Sequence, residues 1–149
     1  MNKKVIDNFM GEYRWLSNFH LCPIFYENIM YPSTEHAYQA TKSLIPEIRE
    51  SFGSDAWKPL TCGQAKRKGL VIPLREDWEQ IKLKVMYEIN YIKYTKHADL
   101  CQKLIDTEDA ELIEKNSWGD KFWGVSNGGQ NNLGKILMQI RKEIEDMII

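Results

Sequence analysis

Short strand-like runs near the N-terminus, followed by longer amphipathic helices, predict an α+β fold that is mostly helical with a small N-terminal β-hairpin or sheet. Two patterns carry this expectation. Apolar, β-prone residues flank Glu27-Asn28, and apolar residues recur at three- and four-residue steps over residues 77–93 and again from Asn132. The 149 residues are the length of one domain, 1–149, and 43% hydrophobic with 28% charged residues is the balance of a folded chain rather than a disordered one.

The strands come first. Residues 5–9 favour an extended segment, and residues 24–26 and 29–31 form a hairpin, because Asn28 can take the left-handed turn position. Pro32 then stops the strand, Ser33 can cap, and Glu35 in the first turn suits the helix dipole, so a helix should run to about Leu44. Thr61 and Gln64 have capping-box form and Gly69 marks the end of a short helix carrying Lys66. In the next helix Trp78, Ile81, Val85, Ile89 and Ile92 share one face. A short helix over residues 99–105 and a short strand over residues 112–114 follow. The last helix, from about Asn132, places Leu133, Leu137, Ile140, Ile144 and Met147 on one side.

Composition excludes several functions. No stretch approaches the roughly 20 apolar residues of a membrane span, and the first nine residues lack the apolar run of a signal peptide or anchor. Cys22, Cys62 and Cys101 are odd in number with no C-x-x-C pair, the pattern of reduced thiols in a cytoplasmic protein. A net charge of −1 does not suit bulk duplex binding. Lys58, Lys66, Arg67 and Lys68 are a local exception that either meets a phosphate or solvates a helix. His20, His36 and His97 have no ligand spacing, so no metal site is expected. There is no P-loop, no dinucleotide fingerprint and no nucleophile elbow.

Four segments, residues 11–19, 33–42, 66–82 and 117–134, hold residues that packing alone does not call for. Glu35, Tyr38, Gln39 and Lys42 fall on one helical stripe, opposite Ala37, Ala40, Thr41 and Leu44, which are expected to make the core contact. That stripe is either a solvated outer face or the wall of a cleft. Residues 118–131 combine two tryptophans, an acid and four glycines ahead of a helix. Such a loop is costly to order unless it holds a ligand or covers the core with Trp118 and Phe122.

Six blocks in order resemble the NADAR family: residues 11–19 (GEYRWLSNF), 31–42 (YPSTEHAYQATK), 65–69 (AKRKG), 78–86 (WEQIKLKVM), 120–124 (DKFWG) and 129–141 (GQNNLGKILMQIR). The likeness spans nearly the whole chain. Known members include YbiA-like N-glycosidases acting on riboflavin-pathway intermediates, so the resemblance implies a YbiA-like fold and hydrolysis of a C1′–N glycosidic bond. It also implies no cofactor and a small-molecule substrate, a ribosyl phosphate or an ADP-ribosyl compound. By position it implies catalytic roles for Glu35, Trp78 and Asp120. Ser17, Asn18, Tyr38, Gln39, Lys42, Lys66, Lys82, Trp123, Gly124 and Asn131 are expected around the ligand. The chain departs from the family pattern at Glu27-Asn28, where a turn glycine is common, and in the spacing from Glu114 to Asp120.

The chemistry suits those residue types. Breaking a ribosyl C1′–N bond passes through an oxocarbenium-like state, which calls for a carboxylate to stabilise the cation or activate water, and a second to orient the ribose or share acid-base work. Glu35 and Asp120 are the expected pair, converging on one sugar carbon. Trp78 and Trp123 are expected to stack on the leaving heterocycle, with Lys42, Lys66 or Lys82 on a 5′-phosphate. Two other functions fit the same residues: removal of ADP-ribose from modified guanine in nucleic acid, with nucleic acid a partner only as modified substrate, and a module that binds NAD or ADP-ribose without cleaving it.

Overall fold

The computed structural model describes residues 3–148. Met1 and Asn2, which open the stretch read above as neither signal nor anchor, lie outside them, as does Ile149 at the end of the expected domain. In chain order the elements are β1 (Val5–Ile6), a 3-10 helix (Gly11–Leu16), β2 (Leu21–Tyr26), β3 (Ile29–Ser33), α1 (Thr34–Thr41), α2 (Pro46–Glu50), α3 (Cys62–Gly69), α4 (Trp78–Lys96), α5 (Ala98–Asp106), β4 (Glu111–Leu112) and α6 (Asn132–Ile148). About half of the chain is helical, and the strands form two small two-stranded sheets, which is the α+β class that the patterning predicts. Backbone contacts gather these elements into two compact units, Asn18–Lys93 and residues 3–17 with 94–148. No helix among the described residues is long and apolar enough to cross a membrane.

In the unit Asn18–Lys93, β2 alternates strictly, with Cys22, Ile24 and Tyr26 buried and Leu21, Pro23 and Phe25 outward. It pairs antiparallel with β3, placing Ile24 opposite Tyr31 and Tyr26 opposite Ile29. Both turn residues have positive φ, Glu27 at 47° and Asn28 at 72°, as a two-residue hairpin turn matching strand twist requires. Glutamate is a poor residue for that conformation. Arg49 Nη1 holds it there, 2.5 Å from Glu27 Oε2.

At the end of β3, Ser33 caps α1, its Oγ accepting from the His36 N–H at 3.2 Å. The His36 ring Nε2 lies 2.7 Å from the Leu60 carbonyl and Nδ1 2.7 Å from Ser33 Oγ. A carbonyl only accepts, so Nε2 carries the proton and Nδ1 accepts from the hydroxyl. The helix ends at Thr41 rather than near Leu44, because Arg75 takes the free carbonyls beyond that point: its backbone N–H donates to Lys42 O at 2.8 Å and Nη1 to Thr41 O at 3.4 Å. Leu44 is therefore exposed and makes no core contact. All eight residues of α1 are buried, so the stripe bearing Glu35, Tyr38 and Gln39 is not a solvated outer face.

α3 begins with the predicted capping box of Thr61 and Gln64. Trp78, Val85, Met86 and Ile89 of α4 are buried, whereas Ile81 and Ile92 are only half-buried. α4 also carries Asn90 and Lys93 into the interior, and burial pushes the Lys93 ammonium down to about 8, against the opposing influence of Cys22 and Cys62. α2, at five residues, is too short for periodicity to register, and neither it nor the 3-10 helix was legible in the sequence.

In the other unit β1 pairs in parallel with β4, Val5 opposite Glu111 and Ile6 opposite Leu112; both strands are shorter than the expected 5–9 and 112–114, and β4 begins one residue earlier. Leu133, Leu137, Ile140 and Ile144 of α6 are buried as predicted, but Met147 is exposed, so the apolar stripe stops one turn early. Leu100 and Leu104 form the buried side of α5. The buried Arg141 donates to Thr107 Oγ1 at 2.8 Å, which satisfies the C-terminal turn of α5. Trp15, from the 3-10 helix, meets Tyr94 edge-on at 6.2 Å.

Candidate functional site

The hairpin delivers the chain into α1, and that entry fixes Glu35. Its backbone N–H donates to the Asn18 carbonyl at 3.2 Å, and its carboxylate Oε1 accepts from Gln39 Nε2 at 2.8 Å, one turn on. Glu35 is 7% exposed and Gln39 5% exposed, so this carboxylate-amide pair is screened from bulk water. Gln39 Oε1 is buried with no hydrogen-bond partner among the described residues. Tyr38 and Trp78 form a tilted ring pair 5.2 Å apart, joining α1 to the first turn of α4.

Two cations complete the group. Lys42 Nζ lies 5.6 Å from the centre of the Tyr38 ring, and burial lowers its pKa, while the nearby Glu35 raises it and Lys82 lowers it further. Lys82 is itself bound to Glu79 at 2.7 Å, one helical step away on α4. Lys42 thus lies within electrostatic reach of the Glu35 carboxylate, the Lys82 ammonium and the Tyr38 ring. Lys66 lies half-buried on α3.

Asn18 has a structural task here. Its Oδ1 accepts from Thr34 Oγ1 at 3.0 Å and from Asn90 Nδ2 at 3.4 Å, and its Nδ2 faces Met86 Sδ at 3.5 Å. The side chain is spent on joining α1 to α4.

The remaining candidates belong to the other unit. Asp120 Oδ1 accepts from the backbone N–H groups of Phe122 at 3.0 Å and Trp123 at 2.9 Å, an Asx turn that orders the loop. Asn116 closes the stretch from Glu114 to Asp120, its Nδ2 donating to Glu114 Oε2 and to Asp120 O. Phe122 and Trp123 pack edge to face at 4.8 Å. Gly124 allows a close approach, since a Cβ there would overlap Glu114. Asn131, at φ 54°, accepts from the Glu114 N–H at 2.9 Å and donates to the Leu112 carbonyl at 2.9 Å. The loop is therefore ordered by its own carboxamides and carboxylate, and Trp118, expected as a possible core cover, is 59% exposed. Ser17 follows the 3-10 helix, its N–H donating to Arg14 O at 2.9 Å.

Sequence reasoning missed Arg75. Arg75 pairs with Asp77 at 2.7 Å, accepts from the Trp78 N–H through its own carbonyl, and binds the end of α1, so it links the helices bearing Lys42 and Trp78. An arginine and an acid two residues apart at a helix entry were the available signal. Gly69 ends α3 as expected, but the residue after it, Leu70, is in right-handed helical conformation, so the glycine serves no left-handed cap.

Comparison with known proteins agrees with this architecture. The model of the NADAR domain matches residues 7–145. The N-glycosidase YbiA of Shigella boydii is 34% identical over 135 residues, covering 89% of this chain and 82% of that protein. A riboflavin biosynthesis protein of Vibrio vulnificus is 33% identical over 136 residues, covering 89% of this chain and 36% of that longer protein. The solution NMR structure of Escherichia coli YbiA superimposes with a TM-score of 0.86 at 30% identity, covering 99% of this chain and 89% of that one. The chain belongs to the NADAR domain family, among whose relatives are curated N-glycosidases.

Proposed function

We propose that this protein is an N-glycosidase that hydrolyses the C1′–N bond of a phosphorylated ribosyl compound, with ribosylaminopyrimidine phosphates of riboflavin synthesis as the substrate class. The observation that carries the reading is the buried Glu35 carboxylate, held by Gln39 and within electrostatic reach of Lys42, which Lys82 adjoins in turn. A carboxylate beside cations suits a substrate that is anionic at its phosphate and cationic at its reacting carbon. The names of the Shigella and Vibrio relatives point the same way.

In this mechanism the bond from C1′ to nitrogen breaks with its electron pair leaving on the base, and positive charge develops at C1′ and the ring oxygen. Glu35 stabilises that charge and takes a proton from the attacking water, whose oxygen bonds to C1′. The proton that Glu35 takes from the water passes on to the departing nitrogen, giving free base and ribose phosphate. Lys42 and Lys82 hold the phosphate, and Tyr38, backed by Trp78, forms an aromatic wall.

The test is a paired assay on a ribosylaminopyrimidine phosphate and on ADP-ribosylated guanine in DNA, following release of the sugar product. The first substrate is cleaved preferentially, and Glu35→Gln lowers turnover by about 100-fold or more. Near wild-type turnover in Glu35→Gln removes the assigned role, and cleavage of the modified DNA alone replaces the substrate class.

A further inference from the structure

A glycine at the end of a helix usually serves a left-handed cap, but Gly69 does not. It lies within α3, is buried, and is followed by a right-handed Leu70, so its backbone makes no demand that alanine fails to meet. What requires it is Gln39. An ideal Cβ built on Gly69 overlaps Gln39 Oε1 and comes within 2.6 Å of Gln39 Cδ and 3.3 Å of Gln39 Cβ. The Gln39 carbonyl thus rests against the bare Cα of Gly69, where Oε1 is buried without a hydrogen-bond partner, while the amide NH2 faces Glu35 at 2.8 Å.

We infer that Gly69 is a positioning residue for the Glu35 carboxylate, acting through Gln39: the missing side chain leaves the one space in which the Gln39 amide can turn its N–H onto Glu35. The inference rests on the proposed role of Glu35 at the reacting carbon. The reverse amide orientation would set two oxygens 2.8 Å apart, which a carboxylate does not tolerate. With that orientation excluded, an unsatisfied carbonyl has to be lodged somewhere apolar, and the Gly69 Cα hydrogens offer a weak C–H contact there. A methyl group at position 69 removes the lodging. The atoms it strikes are mostly the far end of a flexible side chain, so the helix survives and the amide swings away from Glu35.

The experiment compares Gly69→Ala, Gln39→Ser and the double variant. Gly69→Ala is expected to melt at or above the wild-type temperature, alanine being the better helix former. Its kcat falls by about tenfold, the loss of one hydrogen bond to a charged group, with KM changed by less than about twofold. Gln39→Ser loses a similar factor, and the double variant is no slower than Gln39→Ser, because the shortened side chain leaves nothing for the new methyl to displace. Wild-type kcat in Gly69→Ala beside a slowed Gln39→Ser, or losses that multiply in the double variant, overturns the inference.

A readout independent of turnover separates this from the function reading. The Gln39 side-chain amide signal in a 15N NMR spectrum, assigned by its loss in Gln39→Ser, is expected to be shielded from exchange in the wild type and to exchange rapidly in Gly69→Ala. An unchanged signal refutes the positioning of Gln39 by Gly69. A changed signal with unaltered turnover in every variant refutes the part given to Glu35 instead.

Discussion

Tyr38 and Trp78 meet with ring centroids 5.2 Å apart and planes tilted by 57°, which ties the middle of α1 to the start of α4. The contact is buried on both sides, Tyr38 being 6% and Trp78 4% exposed. Little indole surface is left to stack on a heterocycle, so Trp78 serves chiefly as the support of Tyr38. Trp78→Ala should therefore cost about 3–5 kcal/mol of stability, as large-to-small changes at buried aromatics do. Urea denaturation measures it, and a loss below about 1 kcal/mol would show that the indole is not packed as described.

Asn131 satisfies two backbone groups at once and does so at φ 54°. Asn131→Gly keeps the backbone conformation but strands the Glu114 N–H and the Leu112 carbonyl, so it should destabilise by about 1–3 kcal/mol. If the glycine variant is as stable as the parent, the side-chain bonds contribute nothing and only the turn conformation mattered. Thermal melts of Asn131→Gly and Asn131→Ala together separate the two effects.

Burial lowers the pKa of His36, with the hydrogen bond to Leu60 opposing it. A histidine depressed below its unfolded value of about 6.5 binds fewer protons folded than unfolded, so its contribution to stability is present above that pH and is lost as the pH falls through the lowered value. The melting temperature should decline from pH 7 to pH 5. His36→Asn, although less stable at pH 7, should show a flatter profile across the same interval, and parallel profiles would contradict the assignment.

Lys93 acts in the same direction at higher pH. Its folded value is about 8, below the roughly 10.4 of an unfolded lysine, so between those limits the unfolded chain binds more protons and rising pH favours the fold. Lys93→Met lacks this term. The stability of the wild type relative to Lys93→Met should grow as the pH is raised from 8 to 10, in denaturant melts performed on both proteins. A constant difference would mean that Lys93 titrates as a solvated amine does.

Local chemistry determined the elements that short-range sequence can encode. The hairpin followed from two β-prone runs around a turn pair, α1 from Pro32 and Ser33, α3 from the Thr61-Gln64 box, and α4 and α6 from repeats that bury one face. These are choices made within a few residues, by dihedral preference, capping and periodicity. Their limits were not legible: α1 stops at Thr41 because Arg75, more than thirty residues on, takes its carbonyls, and the buried face of α6 ends before Met147.

Tertiary structure decided what the side chains are for. The sequence set Glu35 and Gln39 one turn apart, but left open whether that stripe faced water; packing buries it, and burial makes a single amide hydrogen bond to a carboxylate consequential. It also gives Asn18 and Asn131 scaffold hydrogen bonds, with partners far along the chain. Gly69 shows the reason most plainly. Its need for no side chain arises from the Gln39 amide thirty positions earlier, and only folding brings the two into contact.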